Sequence, residues 1–368
     1  MSSDFEVVTN IYLKLRLVGV ILQIPDVNKI TKVYKNKITS LNISRYENID
    51  QFNFDFSRYY NEELPKLETL FYRLEDLNSL KKLKLSGWNF TTLPEELCSL
   101  SNLISLDLSY NKLSDIPDEI MNLTKLQRLN LSFNQFNKIP DGIFQLKNLQ
   151  TLNVKFNSLN EIEKINELPN LKKINLEYNN LIELPSFENN SLIVLNAGFN
   201  QIRSINPTIQ NLKKLEKLIL EGNKLERILP EIAKLSNIRS LILNRNFITK
   251  IPDEITALKA LVNLDLKQNR IEYIPSQLKT LSNLQAVQLS LNKIKEFPKT
   301  FSELPNLTYL NLDQNLIESI PNLIELFPKN IYINLHGNQI KYAEGNFINL
   351  FSPDKYKNIY LWCNPIRW

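Results

Sequence analysis

The chain has 368 residues, 43% of them hydrophobic, with 44 basic and 39 acidic side chains and a net charge of +5. So balanced a surface lacks the concentrated basic face of a nucleic-acid binder. Seven glycines form no phosphate-cradling loop, and one histidine with two distant cysteines cannot assemble a metal site of ordinary spacing. No cofactor, metal or nucleic acid is expected.

At the start, MSSDFEVVTN places Asp4 and Glu6 where a signal peptide wants positive charge, and Lys14 and Arg16 interrupt the apolar stretch IYLKLRLVGVIL. Neither a cleavable signal nor a membrane span is expected. Cys98 and Cys363 are too few for a disulfide framework, which favours a reducing, cytoplasmic setting, with an exported bacterial protein lacking a cleavable signal as the alternative. Within residues 1–77, ITSLNIS (38–44) and QFNFDF (51–56) read as two degenerate strands in an aromatic-rich region.

From residue 78 the chain repeats. LDLSYNKLSDIP (106–117) returns as LNLSFNQFNKIP (129–140), and the shared asparagine recurs as Asn111, Asn134, Asn157, Asn179, Asn200, Asn223, Asn246, Asn269, Asn292, Asn315, Asn338 and Asn364. The step is 23 residues apart from shorter steps to Asn179 and Asn200 and a longer one to Asn364. Trp88 occupies the asparagine slot one repeat earlier. Leu129 and Leu131 alternate with polar residues, which predicts a strand with one buried face. In the tail IPDEIMNLTKL (116–126), Ile120, Leu123 and Leu126 are spaced by threes, which suits a short helix or 3-10 turns, with Pro117 and its equivalents at the helix start. The asparagine amide, both donor and acceptor, is expected to bridge the backbones of adjacent coils where the chain leaves the strand. The pattern loosens at EIEKINELPNL (161–171), LPSFENNSL (184–192) and INPTIQNL (205–212).

The LxxLxLxxNxL phrase and its IPDEI-type tail resemble leucine-rich repeat proteins, in particular the 23-residue class of Ras-suppressor-like, Scribble-like and bacterial members. The resemblance covers roughly 78–366. It implies an α/β leucine-rich repeat solenoid: a curved right-handed superhelix with parallel strands on the concave face and short helices or 3-10 turns on the convex face. The expected organisation is an N-terminal cap with degenerate repeats (1–77), regular repeats (78–346) and a C-terminal capping repeat (347–368). Residues 1–77 are alternatively a separate partner-binding segment.

Two surfaces stand out. The residue before the asparagine is aromatic on successive repeats, at Tyr110, Phe133, Phe156, Tyr178 and Phe199. These rings form either a structural ladder or a partner-binding strip. Ile219 and Ile242 replace the Asn or Asp usual between the two core leucines and are flanked by Arg239 and Arg245, which reads as an apolar anchor with a basic rim, or as chance variation. Ser290, Asp313 and His336 share a position on consecutive repeats and hold the residue types of a catalytic triad. The acid would stand between nucleophile and base, the wrong order for a triad, so the three read as polar surface residues. The expectation is a monomeric, non-enzymatic scaffold that binds a partner protein on the concave face. The alternatives are a bacterial effector or surface-active protein that binds host proteins and, less favoured, the substrate-recognition part of an enzyme.

Overall fold

A computed structural model describes residues 31–34, 37–42, 77–188, 191–322, 326–327, 331–343 and 358–365. They fall in two units, Met1–Asn175 and Leu176–Trp368. The strand expected at 51–56 and most of the two expected caps lie outside the described residues.

In the first unit β1 (Thr31–Tyr34) runs antiparallel to β2 (Lys37–Asn42). From there the sheet is parallel through β3 (Lys82–Lys84), β4 (Ser105–Asp107), β5 (Arg128–Asn130), β6 (Thr151–Asn153) and β7 (Lys173–Asn175). The antiparallel strand β1, which the repeat pattern did not predict, pairs the edge of β2 that faces away from β3.

The second unit is parallel through β8 (Val194–Asn196), β9 (Lys217–Ile219), β10 (Ser240–Ile242), β11 (Asn263–Asp265), β12 (Ala286–Gln288) and β13 (Tyr309–Asn311). Then β14 (Ser319–Ile320) pairs with β16 (Tyr342–Ala343) apart from the main sheet. That sheet continues through β15 (Tyr332–Asn334) to β17 (Ile359–Tyr360).

Strands of three residues have no independent stability. Their leucines are hidden by the next coil: Leu83, Leu106, Leu129 and Leu152 stand in one register row, and Leu218, Leu241 and Leu264 in another, each with at most 1% exposure. Between strands the outer layer is built of 3-10 turns such as Asp118–Asn122 and Asp253–Ala257, with an α-helical turn at Asp141–Phe144.

Proline precedes these turns rather than opening them. Pro94, Pro117, Pro140, Pro252, Pro275 and Pro298 are the capping residues, one position before the helix, while Pro207 and Pro230 are its first residues. In the capping position the proline carbonyl still accepts the first turn bond, as in Ile120 N–H to Pro117 O at 3.0 Å.

The outer layer carries a second asparagine ladder that sequence reading missed. Asn102, Asn148, Asn170, Asn237, Asn283 and Asn306 each donate from Nδ2 to a carbonyl one coil back, at 2.6–2.9 Å. The signal was present as an Asn preceding a core leucine or isoleucine, in SNL, KNL, PNL and SNI.

Candidate functional site

The first asparagine series shapes the backbone of the strand face. Asn246 Oδ1 accepts the Leu225 N–H at 3.0 Å, and its Nδ2 donates to Leu220 O at 2.9 Å and Leu243 O at 3.0 Å. One side chain thus ties two coils. Asn111, Asn134, Asn157, Asn200, Asn223, Asn269, Asn292, Asn315, Asn338 and Asn364 make the equivalent bonds. Asn179 donates to Leu176 O at 2.9 Å. Trp88, in the same slot, is buried and donates its backbone N–H to Asn111 Oδ1 at 2.9 Å.

The residue before each asparagine lies in a turn, not on the strand. Tyr110, Phe133, Phe156, Tyr178 and Phe199 all have φ between +51° and +56°, as do Arg245 and Gln268 within a degree, while Gly87, Gly222 and Gly337 fill the same slot with glycine. A left-handed backbone is costly for any residue but glycine.

The rings stack as they leave this turn. In the first unit Tyr110 and Phe133 lie 4.1 Å apart and Phe133 and Phe156 4.4 Å apart, and in the second Tyr178 and Phe199 are 4.4 Å apart and parallel within 1°. The stacking covers part of each ring, and Phe156 and Tyr178 remain exposed, at 36% and 37%. In the second unit the stack ends on an opening: an added side chain at Gly222 would come within 2.7 Å of the Phe199 ring, and the guanidinium of Arg245 stands over that ring at 5.9 Å.

A further row of side chains caps the chain as it leaves the strand. Asp107, Asn130, Asn153, Asn196, Asp265, Gln288, Asn311 and Asn334 each accept the N–H two residues on, at 2.9–3.2 Å. Ile219 and Ile242 occupy this row side by side, between Asn196 and Asp265. They cannot accept. Among the described residues, neither the Glu221 N–H nor the Asn244 N–H meets an acceptor, and the buried Asn244 Oδ1 meets no donor.

The two isoleucines are half-buried, and Arg239 and Arg245 are exposed. Arg245 Nε lies 3.8 Å from Glu221 Oε1. Burial pushes the neighbouring Asp265 carboxyl above its ordinary range, against the pull of the Lys267 N–H bond, and the Glu221 charge adds to the rise. The structure therefore groups Ile219, Ile242, Phe199 and Arg245 on the strand face of the second unit, with Arg239 at the start of β10.

One expectation is corrected: Ser290 is not a surface residue but is 1% exposed. Three tyrosines form a second aromatic group. Tyr309 and Tyr332 face each other in register with rings 4.9 Å apart, and Tyr360 lies 5.2 Å beyond. The first two are 23 residues apart and legible in the sequence. Tyr360 belongs to a different row and joins them only because β17 pairs with β15.

Stacked strand-and-turn coils, tied by asparagine ladders and presenting one strand face, define a solenoid repeat protein. A model described as a leucine-rich repeat region matches residues 65–190, and one described as a leucine rich repeat matches 236–294 and 275–317. The chain belongs to the leucine-rich repeat family. A leucine-rich repeat protein of Leptospira interrogans is 30% identical over 81% of this chain and 82% of its own, with a TM-score of 0.68. The plant peptide hormone receptor RGFR1, solved in complex with RGF2, is 29% identical over 73% of this chain, which spans 45% of the receptor chain, with a TM-score of 0.60. An internalin of Listeria monocytogenes, 18% identical over 93% of this chain and 95% of its own with a TM-score of 0.65, shares the fold alone. No curated protein matches the sequence.

Proposed function

We propose that the protein is a non-enzymatic scaffold that binds a partner protein on the strand face of its repeats, with Ile219, Ile242, Arg239 and Arg245 as the anchor. Leucine-rich repeats serve generally as interaction modules, and the similar plant receptor is a complex with its ligand. One observation carries the choice of surface. At Ile219 and Ile242 the fold gives up a capping hydrogen bond that the neighbouring repeats keep, in exchange for apolar surface and two unsatisfied N–H donors. A stability-driven sequence would keep the Asn. An apolar segment of a partner, offering carbonyl acceptors, would cover the isoleucines and meet both donors.

In this reading residues 1–77 and 347–368 close the ends of the array, and the monomeric protein acts in a reducing, cytoplasmic setting. A second reading is a bacterial repeat protein that meets host proteins; the 30% identity to the Leptospira protein supports its bacterial part alone.

The test restores the cap. The double variant Ile219→Asn, Ile242→Asn should melt at or above the wild-type temperature yet lose the protein that wild type captures from lysate of the native organism, quantified by mass spectrometry. Unchanged capture by a stable double variant overturns the assignment.

A further inference from the structure

We propose that the strand face of the last repeats is a second site, which takes a cationic side chain, and by preference an arginine guanidinium, from a protein partner. Its observations are independent of the Ile219–Ile242 surface and share with that reading only the premise of a protein partner.

The first observation is the aromatic surface. Tyr309 and Tyr332 are stacked within 5°, and Tyr360 is tilted by 38° from Tyr332, so the trio opens as a wedge rather than closing as a column. Tyr360 is 36% exposed and Trp362, two residues on, 71%. Burial raises the Tyr332 hydroxyl above its ordinary range, and the neighbouring tyrosines and Asp313 add to this, so Asp313 lies within electrostatic reach of that ring.

The second observation is charge. The strand segments 286–290, 309–313, 332–336 and 358–362 contain no lysine or arginine, and their one carboxylate is Asp313. At the equivalent position of an earlier repeat Glu221 is met by Arg245. Asp313 has no such cation among the described residues. Its Oδ1 is buried and accepts no hydrogen bond, and its Oδ2 receives only a long contact of 3.4 Å from Gln314 Nε2, so Oδ2 is the oxygen with capacity for a partner.

A carboxylate with spare acceptor capacity, on the same strands as electron-rich ring faces and with no lysine or arginine there, complements a cation. Arginine fits better than lysine, because its planar fork can stack on a tyrosine while pairing with the carboxylate.

The full chain is titrated with acetyl-Gly-Ser-Arg-Ser-Gly-amide and with its lysine and citrulline counterparts, followed by the Trp362 indole and tyrosine ring resonances. The arginine peptide should shift these resonances saturably in the millimolar range, and the citrulline peptide, of equal shape without charge, about tenfold more weakly. Asp313→Asn, whose unchanged amide spectrum shows an intact fold, should weaken the arginine peptide by a similar factor. Lysine binding as tightly as arginine overturns the guanidinium preference. Equal binding of arginine and citrulline, no binding of either, or an unaffected Asp313→Asn variant overturns the site. None of these outcomes bears on the Ile219–Ile242 surface, since the probe carries no apolar anchor.

Discussion

Asn246 condenses the chemistry of this protein into one side chain: a single amide answers the backbone of two coils. Replacing it with alanine leaves the Leu225 N–H buried without its acceptor and the Leu220 carbonyl with only the Asn223 Nδ2 bond at 3.1 Å. Asn246→Ala should therefore lose about 1–3 kcal/mol in urea unfolding, and Asn364→Ala, at the less buried end of the series, less. The capping row gives the complementary prediction. The amides of Glu221 and Asn244 should exchange with deuterium faster than those of Lys267 and Ser290, whose N–H groups are capped at 3.0 and 3.2 Å. Ile219→Asn should slow Glu221 alone. Equal exchange rates in the wild type would mean that the unpaired donors find acceptors in solution. The asparagine slot was legible from its recurrence, whereas the missing caps were not. Ile219 and Ile242 look merely unusual in the sequence, and only the hydrogen bonds of their neighbours show what they lack.

At the scale of one strand and its turn, the stacked aromatics combine two opposed effects. Each ring pair contributes roughly 0.5–1.5 kcal/mol beyond its burial, while each left-handed residue costs about 1–2 kcal/mol relative to its usual backbone. Phe133, which touches a ring on either side, separates the two. Phe133→Ala loses both stacks and keeps the strained turn; Phe133→Gly loses the stacks and relieves the turn. The glycine variant should be more stable than the alanine variant by roughly 1 kcal/mol, measured by urea unfolding of the full chain. An alanine variant at least as stable as the glycine one would place the strain elsewhere. Period-two alternation does not place this residue, because alternation assumes an extended backbone. The turn has already begun there, and only the dihedral angles say so.

Across the whole molecule the two cysteines differ by burial, not by chemistry. Cys98 is buried within the outer-layer turn Glu95–Ser99, its thiol pushed up to about 12 by burial and, secondarily, by Glu119, Glu95 and Glu96, while Cys363 is exposed. At pH 8 a thiol reagent should label one cysteine per native chain and two per unfolded chain, counted by mass. Rapid double labelling of native protein would contradict the buried placement. The unfolded thiol ionises near 9.0 and the folded one near 12. Between these values the unfolded state gives up a proton that the folded state keeps, so stability falls as pH rises through that window. Cys98→Ala should melt with a shallower dependence on pH there.

What the sequence determined by itself is the repeat: its 23-residue period, the leucines that only a neighbouring coil can bury and the asparagine that ties the coils. Each is a local pattern reproduced many times, and repetition makes it readable without coordinates. What the tertiary structure alone decided is which side chains meet. Arg245 stands over Phe199, two coils away, because Gly222 leaves the space between them. Tyr360 joins Tyr309 and Tyr332 because a longer last step still brings its strand into the sheet, one row over. Such encounters depend on register and on backbone dihedral angles, which a chain acquires only when its coils are stacked.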